Sequence, residues 1–516
     1  MIAALRLFAA LAVIGLVAPL PARADSSDLQ IIHVLNRIGF GPTVEAVAHV
    51  KEIGIDRYID EQLDPDAIAE PVVLTNRLAV LDTLGLGAAQ LFTKFGPPPA
   101  ETNDGMKATQ EVVDARIKRA DTILQQARAA RLYRAVYSPR QLQEAMVDFW
   151  FNHFNVYAYN GFDSLWIGNF ENDAIRPNAL GHFRDLLLAT AHHPAMLFYL
   201  DNQTSTAPSS PNARGLFAGL NENYAREIME LHTLGADGGY TQEDVTTLAR
   251  IFTGWGFDYA NLSAGSGSVF AFDASRHDSS DKIFLGQRIP AGGEDEGIAA
   301  IDILAKSPST ARHIAFELAQ YFVADNPPPA LVDRLAQRFL DSDGDIKAVM
   351  KTLLTSAEFR DSVGQKYKTP YQYVLSALRA AGVAIESPTP FLGAMAELGM
   401  PLYLCPTPDG YKNTEDAWLS PAATTARTNF AVSVGSGALL AYVPPSEELT
   451  PRLVAEKSIP DAASPAAISA VADISGGGAD GFALAYWVVA ALMSLMLILT
   501  FGLRDDRGAL RRAAAA

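Results

Sequence analysis

The segment from Asn221 to Gly256 limits the folds open to this chain more than any other. It reads NENYAREIMELHTLG and then ADGGYTQEDVTTLARIFTGWG. A helix packed on a core normally presents an apolar stripe. Here one helical face carries Asn223, Tyr224, Glu227, Glu230 and Leu231. If that face turns inward, its carboxylates must meet a cation or dedicated donors, because a bare buried charge is costly. The segment therefore holds a site or an internal polar network. Its companion is Asp148-Phe-Trp-Phe-Asn-His-Phe-Asn-Val-Tyr157, which mixes bulky aromatics with Asn152 and His153.

Helical periodicity recurs through most of the chain, including 27–38, 107–137, 139–157, 222–233, 242–253, 308–324, 345–355 and 369–382. Start signals accompany it: Thr241 three residues before Asp244, and Asp345 ahead of an apolar run. Short alternating segments, SVFAF and KIFLG, flank a polar stretch near 267–287 and predict a β-hairpin. The expected fold class is all-α: a single multi-helix domain with a small β-hairpin insertion, plus one C-terminal transmembrane helix.

The ends predict the location. Arg6, an apolar run from Leu7 to Leu20 and Ala22-Arg-Ala24 form a signal peptide over 1–24. The helical domain follows over 25–442, then a Pro/Ser/Ala/Gly-rich flexible linker over 443–480. Residues 481–503 carry no charge, and at about 1.5 Å rise per residue they reach across a bilayer core of about 30 Å. The Arg-rich tail at 504–516 then lies in the cytoplasm. The expectation is an exported body, periplasmic or at the cell surface, anchored to the membrane by a single C-terminal span. The Gly-rich stretch before that span also fits a cleaved sorting tail. A net charge of −17 disfavours nucleic acid as a partner. The one cysteine, Cys405, allows no intrachain disulfide.

The chain resembles the bacterial family catalogued as Domain of Unknown Function 1800. The resemblance runs through LNRIGFGPT at 35–43, DFWFNHF, LFYLDN at 197–202 and the two blocks of 221–256. It continues through Arg276-His-Asp, STARHIAFELAQYFV at 309–323, DGDIKAVMKTLLTSAEF at 343–359 and WLSP…RTNF at 418–430. It implies membership and no particular reaction.

No HExxH, Glu-x-x-His, GxSxG, P-loop or dinucleotide fingerprint is present. Asp341-Ser-Asp-Gly-Asp345 misplaces the glycine and the terminal acid of a calcium loop. What remains is a constellation: Asn152, His153, Asp201, Asn202, Asn223, Glu227, Glu230, His232, His277 and Asp278. Carboxylates with neutral imidazoles suit a divalent metal as cofactor. On that reading His153, Glu227, Glu230, His232 and His277 are the ligands, and Glu227, His153 and His277 carry the catalysis. The pocket is then expected between the 139–157 and 221–233 helices, roofed by the hairpin. The competing account pairs Arg226 with Glu222 and Glu230, pairs Arg250 with Glu227, and needs no ligand. Two function classes follow: a metal-assisted hydrolytic or oxidative enzyme, or a non-catalytic scaffold or assembly protein of the cell envelope.

Overall fold

A computed structural model describes residues 26–96 and 110–436. Over them the chain is mostly helical, and side chains from Ile31 to Val434 share one apolar core. The helices that position the polar groups are α1 (Ser26–Ile38), α2 (Gln110–Tyr137), α3 (Gln141–His153), α4 (Asn223–Glu230), α5 (Gln242–Ile251), α6 (Pro308–Phe322) and α7 (Pro370–Ala380). Their ends follow the sequence signals. The Thr241 hydroxyl accepts from Asp244 N while the Asp244 carboxylate accepts from Thr241 N, a reciprocal cap on α5. Asp345 caps Ile346–Leu354 by accepting from Ala348 N.

Helix α3 sits in the middle of the molecule and is buried on nearly every side, with Trp150 and Met146 fully enclosed. That is why Gln141, Glu144, Asp148 and His153 on the same helix all need protein partners.

The strands depart from expectation. SVFAF and KIFLG do not pair with each other. Strand β1 (Trp255–Phe257) pairs antiparallel with β2 (Phe270–Phe272), and β3 (Lys282–Phe284) pairs antiparallel with β4 (Gln287–Ile289). The aromatic end of the 221–256 block captures β2, because Trp255 and Phe257 are buried and extended. Leu285 and Gly286 both take positive φ (47° and 74°), the two-residue turn that closes a tight hairpin locally. Two small two-stranded sheets replace the single hairpin.

Among the described residues no helix is long and apolar enough to cross a membrane. The longest, α2, carries Lys118, Arg119, Asp121, Arg128, Arg131 and Arg134 along its length. No described helix supports the C-terminal transmembrane helix expected as part of the fold, nor the membrane anchor and the localisation built on it. Residues 481–503 and the expected signal peptide at 1–24 lie outside the described residues.

Candidate functional site

Three polar systems surround α3. The deepest is an ion network. Arg131 of α2 donates to Asp148 at 2.6 Å and to Glu171 at 3.4 Å. Arg176 bonds Glu144 at 2.5 and 3.1 Å and Glu171 at 2.9 Å. Tyr403 donates to Glu171 and Tyr321 donates to Asp148. Burial pushes the Glu171 carboxyl up, but Arg131, Arg176, Arg134 and Tyr403 outweigh it and hold it below its ordinary value. Three carboxylates thereby share two guanidinium partners inside the core.

Beside this network opens a cavity of about 190 Å³, walled by α3 and α6, reaching Leu231, and roofed by the 400–413 segment. Asp148 and Tyr321 form part of its floor. Its wall carries His153, His313 and Glu317. His153 Nδ1 donates to Glu317 Oε2 at 2.6 Å, and Nε2 faces the carbonyl oxygen of His232 at 3.1 Å. Both partners are acceptors. Burial acts to raise the Glu317 carboxyl, yet His153 and then His313 outweigh it and hold it below the ordinary carboxylate range. His313 Nε2 donates to Leu231 O at 3.1 Å and lies 3.6 Å from Glu317 Oε1.

The roof is fastened from below. The Asn152 amide donates to Tyr411 O and accepts from Tyr411 N, both at 2.8 Å. Asn155 donates to Cys405 O and Thr407 O. Gly410, at φ 66°, presses so close that an added Cβ would sit 2.3 Å from Asn152 O. At the mouth, Lys412 pairs with Asp409 at 2.8 Å.

The expected ligands divide between separate places. Glu227 is half-buried and is not among the residues lining the cavity; its carboxyl is raised by burial first, then by Glu230 and, more weakly, by Asp409, against the lowering effect of Arg226. Among the described residues no hydrogen bond or ion pair reaches its side chain. Glu230 receives only a long bond from Tyr240 at 3.4 Å. His232 is 1% exposed, and burial, then His153 and His313, hold it well below its ordinary value. His277 belongs to a third system: Nδ1 meets Thr253 O at 2.9 Å and Nε2 meets Glu296 at 3.1 Å, while Lys282 bonds the same Glu296 at 2.5 Å. Arg226 does approach Glu222, at 3.7 Å, but Arg250 pairs with Asp278 at 2.8 Å and leaves Glu227 alone. Asp201 takes a left-handed turn at φ 59°, and Asn202 braces Phe252 O and Trp255 O. Asn223 is exposed at the start of α4.

The structure thus brings His153 and His232 together, places Glu227 and Glu230 nearby, and keeps His277 apart. The pocket is not roofed by the β-strands. No group of three or more His, Cys, Asp or Glu among the described residues is arranged to hold a metal ion. His153 and His277 each have both ring nitrogens engaged by protein, so the expected donor set does not fit a divalent metal.

Sequence reasoning missed Glu317, His313, Arg131, Glu171, Arg176 and Tyr403 as parts of these systems. His313 and Glu317 had a signal, since they stand four apart in one of the family blocks and so share a helical face. The Arg131 network had none, because its members are scattered from 131 to 403.

Neither the curated proteins nor the solved structures contain a match to the chain. A family model described as "Protein of unknown function (DUF1800)" matches residues 33–495, most of its length. The chain therefore belongs to the DUF1800 family.

Proposed function

We propose that the protein is a hydrolytic enzyme working in the α3–α6 pocket, with Glu227 as general base. One observation carries this reading: among the described residues Glu227 is a half-buried carboxylate with no hydrogen-bond or ion-pair partner, and it feels the charge of Asp409 of the pocket lining. A carboxyl raised above its ordinary value is better matched to taking a proton from water than one held low by a cation. In the step so described, water attacks the substrate's electrophilic centre and passes its proton to Glu227. The protonated Glu227 then returns it to the leaving group. The pinned groups hold the shape around it: His153 orients Glu317, and Asn152 fixes the roof.

The test is hydrolysis of a panel of chromogenic esters, amides, phosphate esters and glycosides by the full-length protein and by Glu227→Gln. The expected result is turnover of one class, reduced about 100-fold or more in the variant at unchanged thermal stability. Turnover that survives the substitution intact defeats the assignment.

A second reading, a non-catalytic scaffold, is favoured by a different observation. Asp148, His153 and His277 all end on protein partners, as residues that serve the fold would. It predicts no turnover of any class, and Glu227→Gln changing nothing but stability.

A further inference from the structure

We propose that the pocket selects its ligand through a protonated primary amine, so that the substrate is a small ammonium-bearing molecule. The inference rests on reading the pocket as the substrate site.

Among the described residues, three acceptor oxygens of the lining have hydrogen-bonding capacity left over. Glu317 Oε2 is taken by His153, but Oε1 has only His313 Nε2 at 3.6 Å, and that nitrogen already donates to Leu231 O. The Gln320 amide nitrogen donates to Asp325 O at 3.1 Å, which fixes the amide's orientation and leaves its oxygen without a donor. Asn413 Oδ1 is buried and has no partner. These three oxygens belong to residues lining one cavity. Three donors of the lining are engaged by protein acceptors. The Tyr321 hydroxyl serves Asp148, the Asn152 amide serves Tyr411 O, and Lys412 serves Asp409.

Charge points the same way. Asp148 is balanced by Arg131 and Asp409 by Lys412, while Glu317 meets the imidazoles of His153 and His313 and no Lys or Arg within ion-pair distance. Glu227, nearby, has no counter-charge within ion-pair distance among the described residues.

An ammonium offers three donors and no acceptor, which matches three acceptor oxygens, one of them ionised. A hydroxyl brings one donor where an ammonium brings three. A carboxylate meets no free cation and is repelled. A cavity of about 190 Å³ holds only a small ligand or one end of a larger one.

The experiment compares propylammonium, 1-propanol and propionate by saturation-transfer NMR on the full-length protein at neutral pH and moderate salt. Propylammonium is expected to bind at least about tenfold more tightly than 1-propanol, with no binding of propionate. Glu317→Gln is expected to weaken propylammonium about tenfold or more. Should Glu317→Gln not fold, Asn413→Leu reads the same site and is expected to abolish binding. Equal affinity for the alcohol, no binding of propylammonium, or binding untouched by both Glu317→Gln and Asn413→Leu overturns the proposal. Amine binding with no hydrolysis of any substrate class sinks the hydrolytic reading alone. Glu227-dependent hydrolysis without amine binding sinks this inference alone.

Discussion

His153 donates from Nδ1 to Glu317 at 2.6 Å, inside a cage formed by the rings of Phe149, Trp150 and Phe154. The pair ties α3 to α6 at the wall of the pocket. Replacing His153 by Ala removes the partner of a mostly buried carboxylate and leaves a hole among three aromatics. The expected cost is about 2–4 kcal/mol, read from urea unfolding. A loss below about 0.5 kcal/mol would mean that the pair is incidental.

Acid should weaken the fold in two stages. Burial lowers His33 to about 4 and His193 to about 3, and His232 is held well below its ordinary value by burial, His153 and His313. These imidazoles stay neutral in the folded chain while the unfolded chain protonates near pH 6.5, so stability falls as pH drops from there toward the folded values. Each contributes a slope of about 1.4 kcal/mol per pH unit inside its window. Glu171, Glu296 and Glu317 are held low, so what they contribute persists above about pH 4.3 and is lost as pH falls through their folded values. Unfolding midpoints at pH 8, 6.5 and 5 should already decline between the last two, and His193→Gln should flatten that decline by about one proton. A flat profile down to pH 4.5 contradicts the assignment.

Arg131→Met strips two enclosed carboxylates, Asp148 and Glu171, of a shared cation. A loss of about 3–5 kcal/mol is expected by chemical denaturation. The exposed pair of Arg312 with Asp333 supplies the control: Arg312→Ala should stay within about 0.5 kcal/mol of the parent. Similar effects from the two variants would refute the contrast.

Asn152→Asp keeps the acceptor for Tyr411 N but sets a carboxylate oxygen against Tyr411 O, where the amide donated. Hydrogen exchange should accelerate across 400–413 and stay unchanged in helix α7. Uniform acceleration would signal global destabilisation instead.

The helices and their caps were legible because they depend on neighbours: Thr241 with Asp244, and Asp345 with Ala348, are three residues apart. The strands were misread because periodicity identifies a strand without naming its partner. Phe270 turned to the aromatic Phe257, thirteen residues upstream, rather than forward to Phe284. Of the site, the polar helices were visible as polar, but the direction of each side chain was not. His153 and His277 looked alike in sequence, and the fold sends one to Glu317 and the other to Glu296. Glu317 stayed hidden because one acid on an amphipathic helix looks like solvent-facing charge until its neighbour across the interface is known.

The ion network around Arg131 and Arg176 bears on how such a sequence can change over generations. Its acids come from residues 144, 148 and 171, its cations from 131 and 176, and its hydroxyls from 321 and 403. Each arginine serves two enclosed acids, so losing Arg131 or Arg176 strands buried carboxylates, and a first step at either is punished before a second can compensate. The two arginines are therefore expected to change only together with their acids. In a divergent relative, finding carboxylates at the positions of 148 and 171 beside a neutral residue at 131 would indicate that the protein core itself had been rebuilt.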